Sequence, residues 1–421
     1  MRNELIQKTE KIKFLGIPVG WKVYLPESVK TYFWGIRIKK KKYTMYELNN
    51  TSKSSIGISK AIIPTDEKIF NLKNNELNIA FKLGGGLGDY LIAANFIVLF
   101  REYIGYDKIR IDVFGKEDWV SAIFKDSRSI NNYYTGGLLL DGNKDYDFII
   151  SLTREPIILS AKKNKIYEYS SAAFELMQIY EKEGCRKKEA YSNRPSLDGQ
   201  LLALSIIEKY KRCSQPDIMH KLGMNEQFSY TLPINLSEEQ YLNEIGLGTK
   251  NFITIHRGVH EHDSKESVKQ WPTAYYNILV EKIKKSFPEI TIVQLGFSKE
   301  RCPLFDNIDV DLIGKTSMEQ VKVILKNSAL HIDGEGGLVH LRHALQGGKS
   351  IVLFGATSPE FYGYSENINL RGTGCSHWCE WLTTTWQAKC SRGFYRPPCM
   401  YSLTPDIVFN EVKTLLENEN E

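Results

Sequence analysis

At 421 residues the chain is long enough for two ordinary domains and a smaller appendage. Its 42% hydrophobic and 25% charged content excludes a disordered chain, and a net charge of +5, partly gathered at Lys39-Lys40-Lys41-Lys42, makes no case for nucleic acid as a partner. No run of about 18 apolar residues occurs, so no transmembrane segment is expected.

The opening Met1-Arg2-Asn3-Glu4 lacks the basic, apolar, small-residue order of a signal peptide, and a cytoplasmic location is expected. Of seven cysteines, Cys185, Cys213 and Cys302 are scattered, whereas four fall between Cys375 and Cys399. In a cytoplasmic protein such crowding suggests a metal rather than disulfides.

In chain order, residues 1–75 read as a β-rich extension, with short aromatic and β-branched runs at 20–25, 31–38 and 42–47. It is too small to enclose a large core, so it is expected to contact an acceptor, a neighbouring subunit or the rest of the chain. A buried strand at 77–83, the turn Gly84-Gly85-Gly86-Leu87-Gly88-Asp89 and an apolar helix at 90–103 then open a Rossmann-like α/β domain over 76–236. Strands at 109–114 and 146–152 and helices at 172–183 and 200–211 continue it. A second Rossmann-like domain, 237–421, takes strands at 252–256, 290–295, 329–333 and 350–354 and helices at 273–286, 318–326 and 338–346. Two such domains in tandem leave a cleft between their facing edges.

Chemistry concentrates in four places. In the first, Asp89 stands at a helix start, where the dipole favours negative charge; it either caps the helix or faces the cleft as a general base. In the second, Arg257 follows a strand end and Lys269 precedes Trp271-Pro272 at a helix start, so both are placed to meet phosphate oxygens. His256, His260, His262 and Asp263 crowd the same loop and are a weaker candidate for metal binding.

The third place is residues 335–359, EGGLVHLRHALQGGKSIVLFGATSP. Gly336 and Gly337 allow close backbone approach, and the helix that follows aims its positive end at the same spot, an arrangement suited to a diphosphate. Glu335 either caps this turn or accepts from sugar hydroxyls, and His340 either fills a core or joins the site. Asp309-Val310-Asp311 mimics a metal-holding acidic pair but precedes an apolar strand. The fourth is Cys375, Cys379, Cys390 and Cys399, spaced C-x3-C-x10-C-x8-C, a set suited to a tetrahedral structural site for zinc, with iron as the other thiolate metal.

The motifs GGGLGD, VKQWP, DLIGKTSMEQ, EGGLVHLRHAL and IVLFGATSP occur in an order that resembles glycosyltransferase family 9, the heptosyltransferases. The resemblance implies a GT-B fold and inverting transfer from a nucleotide-diphosphate sugar, with no divalent ion needed for the step. It puts Asp89 at the catalytic aspartate and Lys269 at the lysine that contacts the donor diphosphate. Glu335 and His340 match the glycine-turn positions, although most relatives carry aspartate at the former. Gly314, Lys315 and Thr316 fall beside the donor base, and the segment from Gly296 to Glu300 falls near its ribose. The extension, the Asp-Gly-Glu-Gly-Gly turn and the cysteines look like the autotransporter heptosyltransferase branch. That likeness implies ADP-heptose as donor, serines of an autotransporter passenger as acceptor, one iron ion on the four cysteines and a large homo-oligomer. A glycolipid or lipopolysaccharide acceptor, or a non-catalytic sugar-nucleotide-binding subunit, are the alternatives.

Overall fold

The computed structural model describes the strands within 8–42 and residues 75–135, 145–152, 156–190, 231–258, 268–376, 378–380 and 386–418. The chain divides into two compact units, Met1–Ile69 and Phe70–Glu421.

The first unit is an antiparallel meander of β1 (Lys8–Phe14), β2 (Ile17–Leu25), β3 (Ser28–Phe33) and β4 (Ile36–Lys42), paired in sequence order. The run expected as one strand over 31–38 is two strands, with Phe33 paired to Ile36 across the reversal. Its mostly aromatic and β-branched composition concealed the reversal, for which Gly35 is the one sequence signal. Most of the strand expected at 42–47 lies outside the described residues, as does the helix expected at 200–211.

The second unit holds two sheets. The first has the order β7-β6-β5-β8-β9, from β5 (Leu77–Leu83), β6 (Ile109–Gly115), β7 (Asn132–Thr135), β8 (Phe148–Leu152) and β9 (Pro156–Ala161), of which only β9 runs antiparallel to its neighbour. Its helices are α1 (Leu87–Ile104), α2 (Glu117–Phe124), α3 (Lys163–Tyr169) and α4 (Ser171–Ala190).

The other sheet is wholly parallel, with the order β12-β11-β10-β13-β14-β15. Its strands are β10 (Phe252–Ile255), β11 (Thr291–Gln294), β12 (Val310–Asp311), β13 (Leu330–Gly334), β14 (Ser350–Phe354) and β15 (Ile368–Arg371). Helices α5 (Glu238–Glu244), α6 (Thr273–Ser286), α7 (Met318–Asn327), α8 (Gly337–Ala344), α9 (Pro359–Tyr362), α10 (Pro398–Tyr401) and α11 (Pro405–Asn418) accompany it.

The central strands β10, β13 and β14 are buried along their whole length, as expected for parallel strands covered on both faces. The strand order reverses beside β10, and in open α/β sheets the carboxyl ends of strands at such a switch point are where ligands bind. α1 leaves the carboxyl end of β5 and α8 that of β13, so each helix begins at the ligand-binding edge of its sheet. No helix among the described residues is long and apolar enough to cross a membrane.

Candidate active site

The starts of α1 and α8 meet. A Cβ added to Gly337 would lie 3.0 Å from Leu87 Cβ, and one added to Gly88 would lie 2.3 Å from His340 Cδ2. The two ligand-binding edges therefore face each other through glycines, with Asp89 one residue beyond the contact. The carboxylate is half-buried, and its Oδ2 accepts the Gly86 N–H at 2.6 Å. Asp89 is thus a helix cap by geometry, and its place in the first turn of α1 leaves it at the junction of the two edges. Gly85 makes this possible: its φ is +95°, and a Cβ there would sit 2.1 Å from Asp89 Oδ2.

On the opposite side three segments converge at Gly334, where a Cβ would meet Lys269 O at 3.5 Å and Arg257 O at 3.7 Å. Lys269 Nζ is 2.5 Å from Glu335 Oε2, with both side chains largely buried. Burial opposes charge on Glu335, but the ammonium of Lys269, helped by His340 and Thr357, outweighs it and holds the carboxyl below its ordinary value. Thr357 was not singled out from the sequence, although its polar loop at the end of β14 was.

Gly336 has extended backbone geometry that any residue adopts, and a Cβ there would approach only Gly334 O, at 3.7 Å. Its lack of a side chain is therefore not demanded by local packing; it leaves the start of α8 open to an anion. Arg257 is half-buried at the end of β10, with an Nε that is shielded from solvent and takes no hydrogen bond.

His256 is committed to the sheet, with Nδ1 2.9 Å from both Asp333 carboxylate oxygens. Asp333 is buried, yet its carboxyl is held below its ordinary value because His256 and His331 offset the cost of burial. His260, His262 and Asp263, the companions expected of His256 in a metal site, lie outside the described residues.

The segments after β11 and β12 are joined where the Gly314 N–H donates to Gly296 O at 2.8 Å. Gly314 has φ +68°, and a Cβ there would lie 3.1 Å from Phe297 O. Lys315, expected beside a donor base, is held by Asp311 at 3.0 Å, as is Lys299 at 2.8 Å, and these lysines pull the Asp311 pKa down to about 2 against the effect of burial. Thr316 follows at the approach to α7. Asp309 pairs with Lys284 and accepts the Ile292 N–H at 2.8 Å, so neither carboxylate of the acidic pair is held for a metal. Phe297, within the segment expected near the ribose, is 80% exposed on this edge.

Cys375, Cys379 and Cys390 are half-buried and Cys399 is buried, all as free thiols. Burial first, and then the nearby Cys375, Cys379 and Cys390, push the Cys399 thiol up to about 11. The four thus share one neighbourhood and supply soft donors, which fits a thiolate metal in chemistry. No group of three or more candidate ligands has metal-holding geometry among the described residues. The segment is stitched to the site: Val268 N–H donates to Gln387 O at 3.0 Å and Cys379 N–H to Ala356 O at 3.0 Å. Trp386 packs on Val268 and Ala356, with the Lys269 ammonium 5.9 Å from its ring centroid.

This geometry sets a carboxylate at one helix start against a lysine, an arginine and an open glycine turn at another. Residues 220–391 match the family model of glycosyltransferase family 9 (heptosyltransferase). No curated protein matches the chain in sequence. Among solved structures, the chain is similar to a family 9 glycosyltransferase of Veillonella parvula (TM-score 0.52, 13% identity), covering 83% of this chain and 100% of that one.

It is also similar to the dodecameric iron-containing heptosyltransferase TibC of enterotoxigenic E. coli, solved with ADP-D-beta-D-heptose, at TM-score 0.50 and 12% identity over 96% of this chain and 87% of that one. A third, the E. coli ADP-heptose lipopolysaccharide heptosyltransferase II, has TM-score 0.49 and 14% identity over 82% of this chain and 100% of that one. The architecture is accordingly GT-B-like, and the part of the chain carrying Arg257, Lys269, Glu335 and the cysteines up to Cys390 is heptosyltransferase-like.

Proposed function

We propose that the chain is an inverting glycosyltransferase that moves heptose from ADP-heptose to serine hydroxyls of an autotransporter passenger protein. The observation that carries the reading is the meeting of the α1 and α8 starts, which sets Asp89 against the Lys269–Glu335 pair and the Gly336-Gly337 turn. Asp89 takes the proton of the acceptor hydroxyl as that oxygen attacks the anomeric carbon from the face opposite the diphosphate. The bond from the anomeric carbon to the diphosphate oxygen breaks, and the configuration inverts.

Charge growing on the departing diphosphate is met by the N–H groups at the start of α8, by the Arg257 guanidinium and by Lys269. Glu335 orients Lys269 through their ion pair, and offers acceptor oxygens to sugar hydroxyls. Gly296, Gly314, Lys315 and Thr316 border the base and ribose, and Cys375, Cys379, Cys390 and Cys399 hold one iron ion that staples the segment under Trp386. The β1–β4 unit, in this reading, contacts the acceptor protein or a neighbouring subunit of a large homo-oligomer in the cytoplasm.

Support for the donor comes from the family 9 match over 220–391 and from the ADP-heptose named in the TibC complex. The deciding experiment incubates the purified chain with a panel of nucleotide sugars and follows nucleoside diphosphate release, with a coexpressed passenger protein and glycolipids analysed by mass. Heptose on passenger serines with ADP release is expected. Sugar on lipid alone moves the acceptor to the glycolipid class, and no release with any donor leaves a non-catalytic binding subunit.

A further inference from the structure

Gly88 lies in the first turn of α1 and is not among the glycines with left-handed backbone. Its conformation does not call for glycine, and a glycine weakens a helix turn relative to alanine. The reason lies across the junction. A Cβ would fall 2.3 Å from His340 Cδ2 and 3.0 Å from His340 Nε2, so the imidazole rests directly on the Gly88 backbone.

The ring is confined. His340 is buried, its Nδ1 is 2.8 Å from Tyr364 Oη, and the two rings meet edge to face at 5.4 Å. Tyr364 in turn stacks on His343 at 3.7 Å, and His343 Nδ1 reaches Glu366 Oε1 at 2.5 Å. Three side chains thus brace one ring against the residue that precedes Asp89, and the same ring lies close enough to Glu335 to act on its charge.

We infer that His340, braced by Tyr364, is a spacer between the two sheets: its ring, seated on Gly88, sets the distance from Asp89 to the Lys269–Glu335 pair. His340 and Tyr364 are positioning residues in this scheme, which rests on the reading of Asp89 as the base. His340 then contributes to turnover without gripping the diphosphate.

The test uses the full chain with Gly88→Ala, His340→Ala, the double variant and Tyr364→Phe. Three quantities are measured: kcat for nucleoside diphosphate release, the Kd for ADP, and amide exchange across residues 84–90. Gly88→Ala drives a methyl into the ring, and a displacement of about 1 Å at a reacting group costs on the order of a hundredfold in rate. Its kcat is expected to fall by that order with the Kd for ADP unchanged. His340→Ala lowers kcat, leaves the Kd unchanged and speeds exchange across 84–90. Tyr364→Phe keeps the ring stack but frees the imidazole, giving the same pattern to a smaller degree.

In the double variant the new methyl enters the space the ring vacated, so it turns over faster than Gly88→Ala alone, a non-additivity expected only of groups in contact. Additive losses overturn the spacer, and so does a His340→Ala protein with weakened ADP binding and normal kcat. Should Gly88→Ala fail to fold, His340→Ala and Tyr364→Phe decide the matter. If the wild type turns over no sugar nucleotide, the transferase reading fails by itself; the spacing role is then judged on exchange, and unchanged protection across 84–90 in His340→Ala overturns it.

Discussion

The Lys269 ammonium sits 2.5 Å from the Glu335 carboxylate, and the exposures of the two side chains, 15% and 9%, make this a nearly dry ion pair. Removing one partner of such a pair strands the other charge, at a cost of about 3–5 kcal/mol. Lys269→Ala should therefore destabilise the fold by that order and raise the Glu335 pKa. Combining Lys269→Ala with Glu335→Gln should restore most of the stability by neutralising the site, yet leave ADP binding weak because the cation is still missing. Denaturant unfolding and calorimetric titration with ADP check the two halves separately.

The same pair makes a pH prediction. The folded Glu335 carboxyl is held below its ordinary value, so its contribution to stability is fully present above the ordinary glutamate range and is lost as pH falls through the folded value. Asp333 and Asp147 are held down in the same sense, the latter by Lys165, Asn78 and Lys162 against the effect of burial. Acid unfolding should therefore be steep below about pH 4, and Glu335→Gln should flatten part of the slope. An unchanged acid profile in that variant would show that the pair contributes nothing to it.

Much of this arrangement was legible in the sequence. Mainly apolar runs located β5, β6, β10, β13 and β14, because parallel strands buried on both faces are rich in apolar residues, even though β6 and β13 also bury Arg110, Asp112, His331 and Asp333. Edge strands were harder: β15 is half-buried throughout and β12 is two residues long, so neither carries a periodic signal. The residue types of the site were readable, but their partners were not. Nothing near Lys269 in sequence announces Glu335, and Lys315 reads as a free cation until its neighbour Asp311 is seen to hold it. His340 was readable as a site residue, whereas its seat on Gly88 depends on two segments separated by most of the chain.

Asp89 closes the first turn of α1, and the proposed function gives it a second task as base, which substitution can separate from the first. Asp89 lies in the first turn and reaches back to the N–H of the N-cap residue, Gly86; asparagine keeps an oxygen that can accept this N–H and loses only the charge that the helix dipole favours, about 0.3–1 kcal/mol, whereas alanine loses both. Neither can take a proton. Asp89→Asn should keep most of the wild-type stability and lose on the order of 10²–10⁴ in turnover, the usual worth of a general base. Asp89→Ala should lose both, with ADP affinity retained in each variant. Substantial turnover by Asp89→Asn, read from nucleoside diphosphate release, would remove the base assignment.

Iron on the four cysteines, as proposed, should make itself felt through the Lys269 loop. In metal-free protein the Cys399 thiol, pushed up to about 11 by burial and by the neighbouring cysteines, should be alkylated more slowly than Cys375 at pH 8. A raised folded pKa also means that stability falls as pH rises from about 9 towards 11 in that form, because the unfolded thiol gives up its proton first. Chelation should shift Trp386 fluorescence and weaken ADP binding, since Trp386 and Val268 hold the backbone beside Lys269. Elemental analysis should find one equivalent of iron in protein purified without an affinity metal. Folded protein with far less than one equivalent would show that the segment stands without a metal.

Lys322 makes the last prediction, away from the chemistry. It is fully buried, and its ammonium donates to Ala122 O at 2.6 Å and Pro233 O at 3.2 Å while pairing with Glu319 at 2.5 Å. Ala122 belongs to α2 beside the first sheet, Lys322 to α7 beside the second, and Pro233 to the segment just before α5, so one side chain ties three parts of the unit together. Glu319 extends the tie by accepting the Asn235 N–H at 2.9 Å. Lys322→Met preserves the aliphatic stem and removes the donors, leaving two carbonyls and a carboxylate to find other partners. Such stranded acceptors cost about 1–3 kcal/mol each when they stay dry. A fall in Tm of several degrees is expected, with the Kd for ADP unchanged because Arg257, Lys269 and the α8 start are untouched. If Lys322→Met melted like the wild type, water would be replacing the ammonium at this joint, and the tie would carry no net stability.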